Sequence, residues 1–169
     1  MRQLFLSFFG SGYLKPAPGT WGSLAAIPAA WILTMIGGPY LLCVAMGLCY
    51  VAGMAATQAE MNQTGAHDPG WIVIDEVVGQ WFALLPVAFG AWRAGVEFFD
   101  LWPGILTAFV FFRLFDIWKP WLVGRADARD DATGVMLDDV WAGFFAALVV
   151  IIFAVIAHAG FIAAVPDQP

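Results

Sequence analysis

The sequence has few charged residues, and this scarcity excludes most soluble classes of protein. Only 12% of its 169 residues are charged, whereas 62% are hydrophobic, and soluble domains carry roughly 25% charged residues. The seven basic residues form no stripe that could neutralise the phosphates along a nucleic-acid strand. The composition therefore predicts a small integral membrane protein that does not bind nucleic acid.

Cysteine and histidine are also scarce, with two of each in the chain. Cys43 and Cys49 lie in one apolar run, at a spacing that places them on different faces of a helix, so we expect no disulfide. Neither residue type occurs at the spacing of zinc ligands. His67 lies alone in a polar loop, and we interpret it as structural.

Five long apolar runs are present, and a membrane-spanning helix needs about 17–25 such residues. The sequence therefore predicts an all-α, polytopic membrane protein of about five apolar helices, some short or only partly spanning, in one domain over residues 1–169. Residues 1–12 are expected to form a short interfacial helix. Because five short helices bury little against one another, a homo-oligomer remains open. The predicted runs are Trp21–Gly37, Pro39–Thr57, about Val77–Trp92, about Leu101–Trp118 and Val140–Val165.

The basic residues are distributed unevenly about these runs. If the N-terminus is cytoplasmic, every basic residue except Arg93 falls on the cytoplasmic side, which agrees with the positive-inside rule. Most acidic residues fall on that side too, so polar residues from separate loops are predicted to converge on one membrane face. The basic residues on that face are Arg2, Lys15, Arg113, Lys119, Arg125 and Arg129.

Two acidic pairs occur where polar segments meet apolar runs. Asp75 and Glu76 begin the third run in "VIDEVVGQW", and Asp138 and Asp139 directly precede the last run in "GVMLDDVWAG". Helix capping is the simpler interpretation of each pair alone. However, adjacent acids at a membrane boundary repel each other unless a cation is near. Carboxylates converging on a small volume suit a hard cation such as Mg²⁺.

A third motif, "FFRLFDIWKPW", carries ionisable residues at the end of an apolar run. Arg113, Asp116 and Lys119 are spaced by three, which predicts that they share one helix face. They could form an ion-paired ladder at the interface. Because ionisable residues at membrane depth are costly, a functional role is favoured, with Asp116 as a further metal ligand or an acid/base.

The stretch "GSGYLKPAPGTWGS" combines glycines with Lys15, Thr20 and Ser23 directly before the first apolar run. Thr20 is predicted to cap the following helix, whose free amides would then form an anion site together with Lys15. The spacing is not that of a Walker loop. An anion site beside acidic metal ligands and basic residues is typical of phosphoryl-transfer chemistry. The charged stretch "RADARDDA" is interpreted as a solvated loop.

Four blocks of the sequence together resemble the phosphatidylglycerophosphatase A family. They are "GSGYLKPAPGTWGSLAAIP", "VIDEVVGQW", "FRLFDIWKPW" and "GVMLDDVWAG". The resemblance implies a Mg²⁺-dependent phosphatase of the bacterial inner membrane that converts phosphatidylglycerophosphate to phosphatidylglycerol and inorganic phosphate. Its active site would face the cytoplasm.

The residue roles are our own inference from these blocks. The predicted catalytic residues are Asp75, Glu76, Asp116, Asp138 and Asp139. The predicted metal ligands are Asp75, Glu76, Asp138 and Asp139. The predicted phosphate-binding residues are Lys15, Thr20, Ser23, Arg113 and Lys119. Attack by water is favoured, with an aspartyl-phosphate intermediate as the alternative.

Two other classes of function compete with this prediction. A CDP-alcohol phosphotransferase also gathers aspartates at a membrane face, but its ordered Asp-Gly and Ala-Arg signature is absent here. A divalent-cation transporter or a membrane binding subunit would place charges near the bilayer midplane and often has repeated halves. Neither feature is visible in the sequence.

Overall fold

The computed structural model describes residues 1–65 and 69–164, with side chains as far as residue 159. His67 and Val165 therefore lie outside the described residues. Helices account for 84% of the structure, and no strand occurs in the part of the chain that is described. The predicted all-α class is confirmed. In chain order the helices are α1 (Arg2–Leu6), a 3₁₀ turn (Ser11–Tyr13), α2 (Pro18–Thr64), α3 (Ile74–Ala94), a 3₁₀ turn (Phe98–Leu101), α4 (Trp102–Trp118), α5 (Leu122–Asp127) and α6 (Ala132–Ala164).

Helix α2 is a helical hairpin, because its backbone leaves helical geometry at Gly37 and Gly38. Gly38 has φ of 65°, a value that glycine adopts without steric cost. A Cβ built on Gly38 would lie 3.7 Å from Trp92, near the end of α3. A Cβ built on Gly53 would instead lie 3.3 Å from Ile74, at the start of α3. The second arm, residues 39–64, therefore runs antiparallel to α3. The first arm, residues 18–36, runs parallel to α3, since Gly19 lies against Glu76 and the Ala26 carbonyl oxygen accepts a hydrogen bond of 2.9 Å from Trp81 Nε1. The two arms thus run in opposite directions and correspond to the first two predicted runs.

Four elements of the described structure are long and apolar enough to cross a membrane, and the first of them is the α2 hairpin. Helix α3 runs parallel to the first arm of α2, and α4 runs back, since Gly104 near its start packs on Val87. Helix α6 again runs parallel to α3, since Gly79 packs on Asp139 and, further along both helices, Phe82 packs on Phe144. The structure is thus consistent with about five apolar helices. The four elements are Pro18–Thr64, Ile74–Ala94, Phe98–Trp118 and Ala132–Ala159.

Helix α6 begins earlier than the sequence pattern predicted. Its first residue is Ala132, and the Asp131 carboxylate accepts a hydrogen bond of 2.7 Å from the Gly134 N–H, which is the geometry of an N-cap. The prediction that Asp138 and Asp139 directly precede the helix is wrong. They lie about two turns inside it, because polar residues at a membrane boundary continue the helix without belonging to the apolar run.

The N-terminal segment is less helical than predicted. Helix α1 ends at Leu6 instead of extending over residues 1–12, since Phe8 and Phe9 both adopt positive φ. The Leu6 carbonyl accepts a hydrogen bond of 2.9 Å from the Val73 N–H. This bond holds the segment against the residues that lead into α3.

Helices α3 and α6 pack with their backbones in contact. A Cβ on Gly79 would lie 2.5 Å from the Asp139 carbonyl oxygen, and a Cβ on Gly143 would lie 2.3 Å from the Gly79 carbonyl oxygen. Both distances are far below van der Waals contact, so any larger residue would force the helices apart. Small residues allow this close approach, which brings the acidic turns of α3 and α6 together.

We predict that Gly143→Ala lowers the free energy of unfolding in detergent by about 1–3 kcal/mol, because overpacking would strain the α3–α6 crossing. Gly47→Ala is the matched control, since a Cβ there meets nothing within 4 Å and alanine favours a helix. Thermal unfolding should show a lower midpoint for Gly143→Ala only. Equal midpoints for the two variants would contradict the close crossing.

Candidate active site

One polar cavity of about 170 Å³ lies where α3, α4 and α6 have their acidic ends. Most of the predicted acidic and basic residues line it, and they come from three separate stretches of the sequence. The predicted site residues in its lining are Asp75, Glu76, Asp116, Lys119, Asp138 and Asp139. The acidic pairs on α3 and α6 thus share one small volume with the end of α4.

Three carboxylates form the centre of this cavity. Asp75, Glu76 and Asp139 each offer one oxygen, and these oxygens lie within 4.8 Å of one another. Asp75 and Glu76 occupy the first turn of α3, as predicted, and the Glu76 N–H donates a hydrogen bond of 2.9 Å to Asp75 Oδ1. Hence local helix geometry orients Asp75, and the α3–α6 crossing supplies Asp139.

The carboxylate oxygens at this centre fit a hard divalent cation. Glu76 Oε2 and Asp139 Oδ1 are buried, and neither has a hydrogen-bond partner among the described residues. A buried polar atom without a partner is costly, and three converging carboxylates also repel one another. A divalent cation removes both costs, and oxygen ligands are those that Mg²⁺ prefers.

Gly19, in the first turn of α2, lies directly against this centre. A Cβ on Gly19 would lie 2.1 Å from Glu76 Oε1 and 3.1 Å from Arg113 Nη1. The glycine therefore lets the backbone at the start of α2 approach both groups. The N-terminal end of a helix favours anions, because its first N–H groups are free and its dipole is positive there.

Arg113 lies beside the acidic centre and is held by Asp116. Its Nη1 atom is 2.5 Å from Asp116 Oδ2, yet this contact lacks hydrogen-bond alignment, and both Nη1 and Nε are buried without an aligned partner in the described structure. Arg113 Nε thus has no partner among the described residues, and Nη1, although ion-paired with Asp116, also lies next to Gly19. Such a group can bind an anion that enters the cavity.

Lys119 holds Asp138 on the other side of the cavity. The prediction that Lys119 shares a helix face with Arg113 and Asp116 is wrong, because α4 ends at Trp118 and Lys119 is its left-handed C-cap. From there Lys119 Nζ reaches Asp138 Oδ2 at 3.1 Å and also pairs with Asp127. Burial by itself lowers the pKa of Lys119, but the bonds and charges of Asp127 and Asp138 outweigh it and raise the pKa above its ordinary value. Lys119 is therefore a fixed positive charge.

Of the predicted phosphate-binding residues, Lys119 lines the cavity, whereas Arg113 and the three others are not part of its lining. Lys15 is exposed. Thr20 does not cap α2, because the helix begins at Pro18 and its N-cap is Ala17, which makes no side-chain hydrogen bond. Proline is favoured at the first helical position, so the helix begins before Thr20. The Ser23 hydroxyl is buried and donates to the Gly19 carbonyl oxygen at 2.8 Å. Its hydroxyl is therefore used within the helix.

The segment interpreted as a solvated loop contributes to the cavity instead. Leu122–Asp127 is a short helix, and four charged residues of the region line the cavity mouth. Only the charge density of "RADARDDA" signalled them in the sequence. These residues are Asp127, Arg129, Asp130 and Asp131.

Comparison with known proteins identifies the family. The model of the family described as Phosphatidylglycerophosphatase A matches residues 4–154. The chain belongs to this family. The predicted family is confirmed, and so is the prediction that the chain is an enzyme, since this is a family of phosphatases.

Curated relatives support this membership. The chain is 38% identical over 148 residues to a phosphatidylglycerophosphatase A of Haemophilus influenzae, covering 87% of this chain and 83% of the relative. It is 36% identical to the Escherichia coli K12 protein of that name, covering 82% and 75%. A Bacteroides thetaiotaomicron relative, 34% identical with 84% and 86% covered, carries a name that provisionally assigns phosphatidylinositol-3-phosphatase activity. No solved structure matches the chain significantly.

We predict that Lys119→Met lowers the free energy of unfolding by about 2 kcal/mol, because the largely buried Asp138 carboxylate loses its cation. Lys15→Met, at an exposed lysine, should change it by less than about 0.5 kcal/mol. In a double-mutant cycle, adding Asp138→Asn should recover part of the loss. Strictly additive effects would show that the Lys119–Asp138 pair contributes nothing.

Proposed function

We propose that this chain is a Mg²⁺-dependent phosphatase that hydrolyses the terminal phosphomonoester of phosphatidylglycerophosphate. The observation that carries the proposal is the convergence of the Asp75, Glu76 and Asp139 oxygens within 4.8 Å, in the cavity that Lys119 also lines. The names of the Haemophilus influenzae and Escherichia coli relatives supply the substrate. Hydrolysis would yield phosphatidylglycerol, so we place the enzyme in phospholipid biosynthesis.

The proposed magnesium ligands are Asp75, Glu76 and Asp139. When bound, Mg²⁺ would neutralise phosphoryl charge and lower the pKa of a coordinated water. Asp138 was also predicted as a ligand, and its ion pair with Lys119 favours a supporting role. In this role Asp138 keeps the Lys119 charge directed toward the cavity.

Arg113 and the start of α2 are proposed to hold the phosphate. The Nη1 and Nε donors of Arg113, which lack aligned hydrogen-bond partners among the described residues, would bind phosphoryl oxygens. The N–H groups of Gly19 and Thr20 would add donors at a positive helix end. Lys119 would add a fixed positive charge. Phosphoryl transfer depends on such positioning and charge stabilisation, since little covalent chemistry is left to the protein.

Asp116 is proposed to handle the proton. Its carboxylate lines the cavity and is held by Arg113, so it can accept a proton from the attacking water as the new P–O bond forms. The bond to the glycerol oxygen breaks on the opposite side of phosphorus, and that oxygen then takes up a proton. No covalent aspartyl-phosphate is required on this route.

The location of the site suits a lipid substrate. The cavity lies at the ends of long apolar helices, so a phosphate could enter it while acyl chains stay in the bilayer. We place this end at the cytoplasmic face of a bacterial inner membrane, because Arg113, Lys119 and Arg129 all lie near it and Arg93 lies at the opposite end of α3. A single domain over residues 1–169 and a homo-oligomer stay predictions.

The proposal is tested by phosphate release from phosphatidylglycerophosphate with the purified full-length chain in detergent. We expect release that requires Mg²⁺ and stops with chelator. Asp75→Asn and Asp139→Asn should each lower kcat/KM by about 100-fold or more, because each removes a proposed ligand. Phosphatidylinositol 3-phosphate should be a poorer substrate than phosphatidylglycerophosphate.

Asp100→Asn is the matched control. Asp100 belongs to a capping box at the start of the second 3₁₀ turn, away from the cavity, and asparagine can still accept that hydrogen bond. This variant should keep wild-type activity. Release that survives both Asp75→Asn and Asp139→Asn would refute the proposed metal site, and no release from folded wild type would refute the proposed substrate.

Metal binding provides a readout that is independent of activity. Calorimetric titration of the detergent-solubilised chain with Mg²⁺ should show one binding event that Asp139→Asn weakens by at least about tenfold. Because Glu76 and Asp139 have buried oxygens without hydrogen-bond partners among the described residues, Mg²⁺ should also raise the thermal midpoint of wild type. Identical titrations for wild type and Asp139→Asn would contradict the proposed ligand set.

A further inference from the structure

The side chains that line the cavity carry a net negative charge, although the proposed substrate is itself an anion. Among the described residues of its lining, acids greatly outnumber bases, and the bases are Lys119 and Arg129. An anionic lipid that approaches the mouth of the cavity is therefore repelled unless a basic side chain there binds it. The acidic residues of the lining are Asp75, Glu76, Asp116, Asp127, Asp130, Asp131, Asp138 and Asp139.

Of these two bases, Lys119 already has two ion-pair partners. It pairs with Asp127 from α5 and with Asp138 from α6, so two carboxylates fix its position. Arg129 differs, because it pairs with Asp131 alone among the described residues, through Nε at 3.2 Å and Nη2 at 2.8 Å. Its side chain is 52% exposed. Arg129 is therefore the base at the mouth that can exchange its partner.

Asp131 does not depend on Arg129 for its position. Its Oδ1 atom accepts a hydrogen bond of 2.7 Å from the Gly134 N–H, as the N-cap of α6. If Arg129 turned away, the Asp131 carboxylate would keep this bond and its contact with water. An exposed ion pair contributes little to stability, so exchanging the partner of Arg129 has a small cost.

The proposed substrate carries a second anion that nothing in the mechanism binds. Phosphatidylglycerophosphate has a terminal phosphomonoester, a glycerol unit and then a phosphodiester that leads to the acyl chains. With the monoester beside Asp139 and Arg113, the phosphodiester would lie one glycerol unit away from it, and Arg129 is an exposed base of the same cavity. Arginine binds phosphate oxygens through two parallel hydrogen bonds, as Arg129 now binds the two oxygens of Asp131.

We propose that Arg129 binds the phosphodiester of the lipid headgroup and thereby selects phospholipids with two phosphates over those with a phosphomonoester alone. This inference rests on the proposed function and adds a specificity-determining residue to it. Arg129 acts on binding and not on bond cleavage, because the diester is not the reacting phosphate. Replacing Arg129 should therefore raise KM and leave kcat nearly unchanged.

The test compares two lipid substrates. With phosphatidylglycerophosphate, Arg129→Gln should raise KM about tenfold while kcat stays within about twofold. With phosphatidic acid, which has only a phosphomonoester, the same variant should change neither constant. Arg129→Lys should keep part of the wild-type KM, because it retains the charge without the paired geometry. Arg125→Gln is the matched control, since Arg125 is exposed on α5 and does not line the cavity.

A binding measurement separates this inference from the proposed function. Short-chain phosphatidylglycerol has the phosphodiester and no phosphomonoester, so its affinity for the detergent-solubilised chain does not depend on catalysis. Wild type should bind it about tenfold more tightly than Arg129→Gln. Equal binding by the two proteins, no binding by wild type, or an equal loss on both lipid substrates would overturn the role of Arg129. Absence of phosphate release from wild type would instead refute the proposed function.

Discussion

The backbone contact between α3 and α6 is the constraint on which the site depends. Gly79 and Gly143 let the two helices approach until backbone atoms meet, and Asp139 belongs to that contact through its own carbonyl oxygen. Because the crossing lies one turn from Asp75 and Glu76, it brings their carboxylates to within 4.8 Å of the Asp139 carboxylate. A larger side chain at either glycine would separate the acids as it separated the helices.

Bringing acids together at the end of an apolar bundle has an electrostatic cost, and the surrounding residues offset only part of it. Lys119 and Arg113 hold Asp138 and Asp116 in ion pairs. Glu76 and Asp139 keep buried oxygens without hydrogen-bond partners in the described structure, a cost that is typical of functional sites. The ion-paired acids Asp116 and Asp138 thus lie around the central carboxylates of Asp75, Glu76 and Asp139.

The position of the cavity relates the proposed chemistry to the membrane. Four elements of the described structure are long and apolar enough to cross a bilayer, and the acidic turns of α3 and α6 meet the end of α4 on one side of the bundle. A lipid phosphate lies at the membrane surface, so a site at the helix ends reaches it without drawing the headgroup into the hydrocarbon. The start of α2 adjoins the site, because Gly19 brings a positive helix end against Glu76.

The sequence by itself determined the all-α class with long apolar helices, the boundary between the first two apolar runs and the family, because apolar runs and motif blocks are local patterns. It also identified Asp75 and Glu76 in a first helical turn. Only the tertiary structure separated Asp139, which meets the α3 acids, from Asp138, which meets Lys119, since adjacent helical residues point about 100° apart. It likewise decided that Ser23 bonds within its helix and that Arg129 lies at the cavity mouth. These outcomes depend on which helix faces meet, and no local pattern encodes that packing.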